Sequence, residues 1–546
     1  LSCINPHLIS LRDIINFLAK MRFIFLTLIV LFNVTEASLH AESSKLKYEV
    51  VVYGATAAGI TAAIAVHRDG GKVIIIEPSK HIAGMMTGGL SAADVCKQAT
   101  LGGISREVFE KIGARYGKEF GSTFEPRVAA EVFNNLIKEN NLEILTETAL
   151  KDIQIKSGKI QSITLSSGRN ISGNVFIDAS YEGDLMAFSK VSYTIGREGR
   201  EVYNESMAGV RPDGGMKRHQ FQAFINPKDL NNKLLPGVSS EMLAGEGQGD
   251  RKVPSYNYRP CLTKRVDLKI PFAAPKGYDS YDYEVLVRYF KAKPDLSHRD
   301  LFTVLKVPNG KFDLNNGGPF STNLIGENWD YPDADFEKRA ELARLHSDHI
   351  KGLMYFLSTD PKIPARIRNE ISSWGYCKDE FTESGNFPSQ LYVREARRMI
   401  GEYVLTQNDL KKQRRKSDSI AMASCPIESH HVQRLVGKNG AVFVEGHLQT
   451  SVSPYQIPYR SILPKRDQVQ NLLVPVALSA SHVAYSSLRM EPVYMALGQS
   501  AGVAAMMASK SGLAVQDIDT TKIRERLLEL KQKLGDLPIV SQRKMK

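Results

Sequence analysis

YEVVVYGATAAGITAAIAVHRDGGKVIIIEP, residues 48–78, is the stretch of sequence that decides the fold. Its β-branched run Tyr48–Tyr53 predicts a strand buried on both faces, and the Ala-rich segment after GATAAG predicts a helix ending at Gly70–Gly71. A second β-branched run then closes on Glu77. A strand, a tight turn, a helix, a strand and an acid within about 30 residues are the pattern of a dinucleotide-binding βαβ unit.

Each part of this unit has a predicted role in binding. Gly54 permits the tight turn, and Gly59 lets the helix pack close to the strand. The helix begins at Ala57 and Ala58, where free N–H groups point at a pyrophosphate. Glu77 follows Gly54 by 23 residues and is placed to accept the ribose hydroxyls.

Thr56 replaces the middle glycine of the usual Gly-x-Gly-x-x-Gly pattern. Its side chain must therefore either point away from the phosphate or hydrogen-bond to it. With both flanking strands and the acid in place, the segment still favours a dinucleotide site over a plain βαβ unit.

Three later segments distinguish FAD from NAD. The first is HIAGMMTGGLS at residues 81–91, a loop whose Gly84–Met86 backbone can approach a flat ring system closely. The second is NVFIDASYEGD at residues 174–184, a buried strand that brings Ala179 and Ser180 to the ligand edge of the sheet. Each of these segments has ordinary packing as its alternative reading.

The third segment is LRMEPVYMALGQSAGVAAMMA at residues 488–508, which includes Gly498 and Gln499. A helix starting near Arg489–Pro492 would present its positive end to the pyrimidine of a flavin, where negative charge develops on reduction. The three segments in this order favour FAD. Because no second Gly-x-Gly-x-x-Gly follows a strand, we expect electrons to come from the organic substrate or from a protein or quinone partner.

Together these stretches resemble the bacterial FAD-dependent oxidoreductase family of the glutathione-reductase-like fold, some members of which are labelled xanthan lyase. The chain is also distantly similar to heterodisulfide reductase flavin subunits, but no Cys cluster matches their iron–sulfur ligands. FEPRVAAEVF, YNYRPCLT, FTESGNFPSQLYVREARRMIGEY and IPYRSILPK extend the resemblance, which runs from about residue 47 to about residue 508. The cofactor contacts that it implies are Gly54, Thr56, Gly59 and Glu77 with the adjoining Pro78, and nearby Gly84, Met85, Met86, Gly498 and Gln499.

The predicted fold class is α/β, a Rossmann-like FAD-binding domain of glutathione-reductase type with an inserted mixed α+β substrate domain. We place the two parts of the FAD-binding domain at residues 45–190 and 425–512, and the insertion at 191–424. Polar and apolar residues alternate over 151–173, which predicts a β-meander. Residues 513–546 read as a tail with a charged amphipathic helix.

The N-terminal residues have the pattern of a targeting segment. A basic residue precedes the apolar run Phe23–Phe32, and small residues offer cleavage after Ala37 or Ala41. The run is too short to span a bilayer, and a buried N-terminal helix is the alternative. We expect residues 1–20 to be an over-extended gene start and residues 21–41 a cleaved signal peptide. The mature protein would then be exported, to the periplasm or secreted, with no stable membrane span.

Composition narrows the possible partners. The 546 residues are 42% hydrophobic and 24% charged, which excludes disordered and collagenous classes. The net charge of +12 is spread along the chain with no basic module, so we expect anionic small molecules rather than nucleic acid. Without a Cys-x-x-Cys pair we expect no metal, and spacing leaves open whether the cysteines form disulfides.

Three residues are candidates for catalysis. His482 lies between a buried strand and the predicted flavin-facing turn, where it can serve as acid or base; a structural histidine is the alternative. Arg489 is placed to touch flavin or substrate charge, or else to pair with Glu491 at the surface. Arg460 can orient an anionic substrate.

Two further basic groups have weaker cases. His430 and His431 are adjacent, so only one can face a site, and a solvated loop is the plainer interpretation. Arg394, Arg397 and Arg398 have the spacing of one helical face, typical of a solvated surface. If that face lined a cleft, it would suit a carboxylate-bearing sugar.

The leading hypothesis is an exported FAD-dependent oxidoreductase that acts on a small organic substrate, carbohydrate-derived ones included. Hydride would pass to the flavin, and His482 would transfer the proton. One alternative is a polysaccharide lyase on a flavin fold, with a base and a cation drawn from His430, His431, Tyr459 and Arg460. The other is a non-catalytic exported binding protein. The sequence leaves open the substrate, the electron acceptor, the oligomeric state and covalent attachment of the flavin.

Overall fold

A computed structural model describes residues 47–212, 219–411 and 414–535. The predicted gene-start extension and the predicted signal peptide lie outside these residues. Among the helices of the described ranges, none is long and apolar enough to cross a membrane.

The first part of the chain alternates strands and helices, as the sequence predicts. Its elements are β1 (Lys47–Tyr53), α1 (Ala57–Arg68), β2 (Val73–Ile76), α2 (Met85–Gly88), α3 (Gly103–Ala114), α4 (Pro126–Glu139), β3 (Glu143–Leu145), β4 (Leu150–Lys156), β5 (Lys159–Leu165), β6 (Asn170–Asp178) and α5 (Asp184–Phe188).

The predicted insertion mixes short strands with helices and begins with a largely irregular stretch. Its elements are β7 (Tyr193–Thr194), α6 (Arg200–Tyr203), β8 (Cys261–Thr263), β9 (Lys269–Ile270), α7 (Glu284–Ala292), α8 (His298–Leu301), β10 (Phe302–Val307), β11 (Lys311–Asn316), α9 (Phe336–Thr359), α10 (Ala365–Ser372), β12 (Gly375–Cys377), β13 (Arg398–Met399), α11 (Gln407–Lys411) and β14 (Ser419–Ala423).

The last part returns to the first domain. Its elements are β15 (Ile427–Ser429), β16 (Gln433–Val436), β17 (Val442–Glu445), β18 (Leu448–Thr450), β19 (Tyr455–Pro458), β20 (Leu472–Leu473), α12 (His482–Leu488), α13 (Glu491–Ser511) and α14 (Thr520–Glu529). The helix predicted in the tail is α14, which buries Ile523 and Leu527.

β1 lies inside a seven-stranded sheet with the order β3-β2-β1-β6-β5-β4, in which β20 also pairs with β6. β1, β2, β3, β6 and β20 are parallel. β4, β5 and β6 form the predicted antiparallel meander. Because the chain leaves β1 toward β2 on one side and β6 lies on the other, the carboxyl ends of β1 and β6 open a crevice. Such a crevice is where ligands bind in sheets of this kind.

Small residues let α13 pack directly on α1. A Cβ atom at Gly498 would overlap the carbonyl oxygen of Ala58, and one at Gly502 would overlap that of Ala62. The hydroxyl of Thr61 also donates a 2.8 Å hydrogen bond to a carbonyl oxygen of α13. The close approach fixes the C-terminal segment on the first βαβ unit, more than 400 residues away in sequence.

The insertion is built around an antiparallel sheet with the order β10-β11-β8-β12-β9. α9 packs against α10, and Trp374 and Phe356 are buried in the adjoining core. β14 at the end of the predicted insertion pairs with β19, so strand pairing crosses the boundary predicted at residues 424 and 425.

The prediction of a helical face for Arg394, Arg397 and Arg398 is wrong. Residue 392 bridges Asn257, and Arg398 belongs to β13, so the segment is extended. Pairing with distant backbone has overridden the local charge spacing, and all three arginines are buried.

One disulfide bond joins distant parts of the chain. Cys96, after α2, is bonded to Cys425, just before β15, across a sequence separation of 329 residues. Cys261 and Cys377 are buried free thiols on neighbouring strands, with their Sγ atoms 4.0 Å apart.

We expect reduction of the Cys96–Cys425 bond to lower the melting temperature, since the bond restricts the unfolded chain. The loss should correspond to about 2–5 kcal/mol in the free energy of unfolding. Thermal unfolding with and without dithiothreitol measures it.

The Cys96→Ser/Cys425→Ser variant is the control. Its melting temperature should equal that of the reduced wild type and should not change when dithiothreitol is added. Equal melting temperatures for the oxidised and reduced protein would contradict the prediction.

Candidate functional site

A cavity of about 230 Å³ opens at the carboxyl ends of β1 and β6. Six of the predicted cofactor contacts line it, namely Gly54, Thr56, Glu77, Pro78, Gly84 and Ser180. The sheet crevice and the predicted dinucleotide fingerprint therefore coincide.

Two glycines shape the turn beneath the cavity. Gly54 has a φ of +97°, and a Cβ atom there would lie 2.7 Å from the backbone nitrogen of Ser180. A Cβ atom at Gly59 would overlap the carbonyl oxygen of Gly54. The structure thus confirms the predicted turn at Gly54 and the predicted close packing at Gly59.

Thr56 turns its side chain toward the protein. Its Oγ1 donates a 2.7 Å hydrogen bond to the carbonyl oxygen of Ala179 and accepts one of 3.2 Å from the nitrogen of Gly59. Thr56 is therefore the N-cap of α1. The residues that follow it, Ala57 and Ala58, start the helix with N–H groups that have no acceptor within the helix.

Glu77 is held at the cavity by two backbone donors. The nitrogens of Ala55 and Ser79 donate hydrogen bonds of 2.8 and 2.9 Å to its two carboxylate oxygens. Burial raises the pKa of Glu77, although these bonds oppose the shift. Each oxygen keeps a lone pair for a further donor such as a ribose hydroxyl.

Tyr181 joins the three segments that the sequence assigns to the flavin. Its hydroxyl accepts a 2.9 Å hydrogen bond from the nitrogen of Met85 and donates one of 2.6 Å to Oε1 of Glu491. It also lies against Gly84, where no side chain would fit. The loop after β2, the end of β6 and the first turn of α13 therefore meet at one hydroxyl group.

These groups fit the parts of FAD. The start of α1 suits the pyrophosphate, and Glu77 suits the ribose. The Oε2 atom of Glu491 is buried and has no hydrogen-bond partner among the described residues, although such groups are normally satisfied. An N–H group of a ring bound beside Gly84–Met86 would satisfy it.

Other predicted residues lie away from this cavity. Gly498 contacts Ala58 in the crossing of α13 and α1, and Oε1 of Gln499 accepts a 2.7 Å hydrogen bond from the nitrogen of Ile104. Both residues hold helices together. Arg460 is half-exposed and forms a 3.1 Å ion pair with Asp418, so we withdraw it as a catalytic candidate.

His482 is the first residue of α12 and is buried. Its Nδ1 lies 2.8 Å from Oε2 of Glu395, and its Nε2 is buried without a hydrogen-bond partner in the described residues. Burial alone would raise the pKa of Glu395, but His482 and Arg398 outweigh it and the pKa is lowered. One ring nitrogen is thus held by a carboxylate, while the other is buried without a partner in the described part of the chain, and His482 is not among the residues that line the cavity.

The surface interpretation of Arg489 is wrong. The side chain is 4% exposed, and its guanidinium donates to the hydroxyl of Tyr392 at 3.3 Å and to the carbonyl oxygen of Glu428 at 2.8 Å. Glu491, the partner expected at the surface, binds Tyr181 instead.

His430 and His431 are not in a solvated loop, because they are 8% and 0% exposed. Both follow β15, and burial lowers the pKa of each well below its usual range. Nε2 of His431 lies 3.1 Å from the carbonyl oxygen of His219, and the rings of His219 and His447 stack nearby.

The sequence interpretation missed several cavity residues. Tyr181 lies inside the predicted segment 174–184, directly after Ser180, but was not named as a contact. Tyr258 and Leu391 lie in insertion stretches that carry the family resemblance, and Arg339 lies in none, yet no local pattern assigned any of the three to the cofactor site. They reach the cavity only through tertiary packing.

The position of Glu491 leads to a pH-dependence prediction. Burial raises its pKa from 4.5 to about 7, so between these values the folded protein binds the proton more tightly than the unfolded chain. Stability contributed by this group is therefore lost as the pH rises toward 7. Relative to the wild type, Glu491→Gln should raise the free energy of unfolding by about 1–3 kcal/mol at about pH 8, and by little at about pH 5.

Urea denaturation at both pH values measures this difference. Glu119→Gln, at an exposed position, is the matched control and should show no such trend. A stability difference for Glu491→Gln that does not change with pH would refute the raised pKa.

The chain has partial likeness to several solved structures. The chain is 16% identical to L-proline dehydrogenase from P. horikoshii, with a TM-score of 0.24, covering 28% of this chain and 59% of that one. For bacillithiol disulfide reductase from Staphylococcus aureus the identity is 15%, the TM-score 0.19 and the coverage 29% and 44%. For thioredoxin reductase from T. acidophilum the identity is 17% and the TM-score 0.17, and the match covers 24% of this chain and 35% of that one. The chain thus spans less than two thirds of each of these proteins.

The comparison with protein families covers far more of the chain. The model of the family described as FAD dependent oxidoreductase matches residues 49–527. That range contains the fingerprint, the insertion, α12 and α13. The chain therefore belongs to the FAD-dependent oxidoreductase family and is an enzyme whose cofactor is FAD.

Proposed function

We propose that the protein transfers hydride between FAD and a small organic substrate, carbohydrate-derived ones included, with His482 moving the accompanying proton. The observation that carries this proposal is that Nε2 of His482 has no hydrogen-bond partner among the residues described, whereas Nδ1 is held by Glu395. When bound, FAD supplies the hydride chemistry at its flavin ring.

The surroundings of His482 suit proton transfer. With Nδ1–H directed at Glu395, Nε2 is the acceptor nitrogen of the neutral ring, and the carboxylate stabilises the charged ring after a proton arrives. Arg398 in turn holds Glu395 with a 2.9 Å hydrogen bond. The nitrogen of His482 donates a 2.9 Å bond to Glu198, which fixes the start of α12.

Position along the chain also supports a role for His482. α12 leads through Arg489 into the first turn of α13, where Glu491 contacts Tyr181 on the cavity wall. Residues 482–491 are buried throughout, so a proton held at this histidine is shielded from bulk water.

Cofactor binding would use the chain's own donors. The N-terminus of α1 and the turn at Gly54 would hold the pyrophosphate, and Glu77 would accept the ribose hydroxyls. Arg339 reaches the opposite wall, where its guanidinium forms a 2.8 Å ion pair with Asp184.

Within the described residues, the four groups named for the lyase alternative do not form one site. The hydroxyl of Tyr459 donates to the carbonyl oxygen of Val515 at 2.8 Å, and Arg460 pairs with Asp418 near the surface. Neither group meets the buried His430 and His431 in a base-and-cation arrangement. The family match also favours redox chemistry over elimination or simple binding.

Export remains part of the proposal. The pattern of residues 21–41 supports it, and the Cys96–Cys425 disulfide suits an oxidising compartment. N-terminal sequencing of the protein from periplasmic and culture fractions would test it. A start after Ala37 or Ala41 is expected, and an uncleaved cytoplasmic protein would contradict export.

The visible spectrum of the purified protein tests cofactor binding. We expect a flavin spectrum, and Gly59→Asp should abolish it because any side chain there overlaps the turn at Gly54. Gly168→Asp is the control for an added carboxylate: its φ of +83° strains the new side chain, but a Cβ atom there meets nothing within 4 Å and Gly168 does not line the cavity, so this variant should keep its flavin. A colourless wild type that takes up no added FAD would contradict the proposal.

Stopped-flow reduction tests His482. In a substrate screen scored by bleaching of the flavin band, His482→Ala should keep FAD and slow flavin reduction by about 10²–10⁴-fold. Glu395→Gln should give a smaller loss and displace the pH profile, because it acts only through His482. Unchanged reduction in His482→Ala would remove the residue from proton transfer.

A further inference from the structure

Three buried arginines differ from the others in charge pairing, and two of them contact the same ring. Most buried arginines of the structure form ion pairs with carboxylates, as Arg197, Arg259, Arg339, Arg397 and Arg398 do. Arg394 and Arg489, which are 1% and 4% exposed, form none within the described ranges, and neither does Arg434, which lies over the ring of Phe320. A buried charge without a partner is costly, so such a pair calls for an explanation.

The partners of Arg394 are neutral. Its guanidinium donates to the carbonyl oxygen of Ser255 and, at 3.1 Å, to Oδ1 of Asn257. Its Nε is buried and has no acceptor among the described residues.

The partners of Arg489 are neutral as well. They are the hydroxyl of Tyr392 and a backbone carbonyl oxygen, and the Nε of Arg489 likewise has no acceptor in the described part of the chain. Each guanidinium therefore keeps one unused donor, its Nε–H group.

The two guanidinium groups flank one ring. Their central carbons lie 5.0 and 5.9 Å from the ring centroid of Tyr392. Burial, followed by the charge of Arg489, lowers the pKa of Arg394 to about 9. After burial, the same two arginines are the largest cause of the lowered pKa of His430. Positive potential is thus concentrated at this point of the interior.

This point adjoins the cofactor site. Tyr392 directly follows Leu391, which lines the cavity. Arg489 lies two residues before Glu491, which binds Tyr181 on the cavity wall. The arginine pair is not among the lining residues, but Tyr392 and its bridge partner Asn257 directly adjoin two of them, Leu391 and Tyr258.

We propose that Arg394 and Arg489 form a subsite for the carboxylate group of the substrate, which makes the substrate an organic acid, sugar acids included. The inference rests on the proposed function, since it names the substrate class of the same site. A carboxylate accepts charge-assisted hydrogen bonds at both of its oxygens, and the unused Nε–H groups supply one such donor from each arginine. A monoanion suits the local charge, because Glu428 already acts on Arg394, although more weakly than the cations.

The test uses the purified holoenzyme and matched pairs of acids and amides. Acetate and D-glucuronate are titrated against acetamide and D-glucuronamide, with the flavin difference spectrum and the melting temperature as readouts. We expect the acids to perturb both, and the amides to perturb neither. Arg394→Gln and Arg489→Gln should weaken acid binding by about 10–100-fold. Arg460→Gln, a surface ion-pair variant, should leave it unchanged.

Several results would overturn the subsite. One is a protein that holds FAD but responds to none of the acids, and another is equal affinity for an acid and its amide. A response to inorganic phosphate alone, or an acid affinity that is unchanged in both glutamine variants, would also overturn it. If Arg489→Gln shifts only the flavin reduction potential, Arg489 serves the cofactor and the pair is refuted. Should a glutamine variant not fold, Arg394→Lys and Arg489→Lys replace it, and unchanged acid affinity in them counts against the proposal.

The readouts also separate this inference from the proposed function. A protein without flavin whose melting temperature rises with acids, but not with amides, would support the subsite while contradicting the redox proposal. A protein that holds flavin but shows no response to the acids would contradict the subsite while leaving the redox proposal in place.

Discussion

The contact of Gly59 with the carbonyl oxygen of Gly54 is the constraint on which the rest of the structure depends. It sets α1 directly against the end of β1, which fixes where the helix N-terminus points. The same helix then receives α13 at Gly498 and Gly502, where again no side chain fits. Contacts between small residues, and not the sheet alone, thus fix where the first turn of α13 meets Tyr181 at the cavity.

Charge pairing across segments completes the arrangement. His482, the residue proposed to move the proton, lies on the C-terminal segment, whereas Glu395, which holds it, and Arg398, which holds Glu395, belong to the insertion. Tyr181 makes a comparable link between the two parts of the cofactor domain. Because each functional group depends on a partner from elsewhere in the chain, the site tolerates little relative movement of these segments.

Local pattern was sufficient to predict β1, α1, β2, β6 and the start of α13, because buried strands and small-residue helices carry strong periodic signals. It also predicted six residues of the cavity. It failed for Arg394–Arg398, where backbone pairing with distant residues replaced the helix that the spacing indicated. It could not find Tyr258 or Arg339, nor the pairing of Cys96 with Cys425, because each depends on contacts between residues far apart in sequence.

The packing of α13 on α1 has a consequence for biosynthesis. Residues 54–77 are synthesised early. The hydrogen bond between Tyr181 and Glu491 can form only once the chain has grown past residue 491. A prematurely terminated chain therefore lacks one wall of the site, however well its first βαβ unit folds.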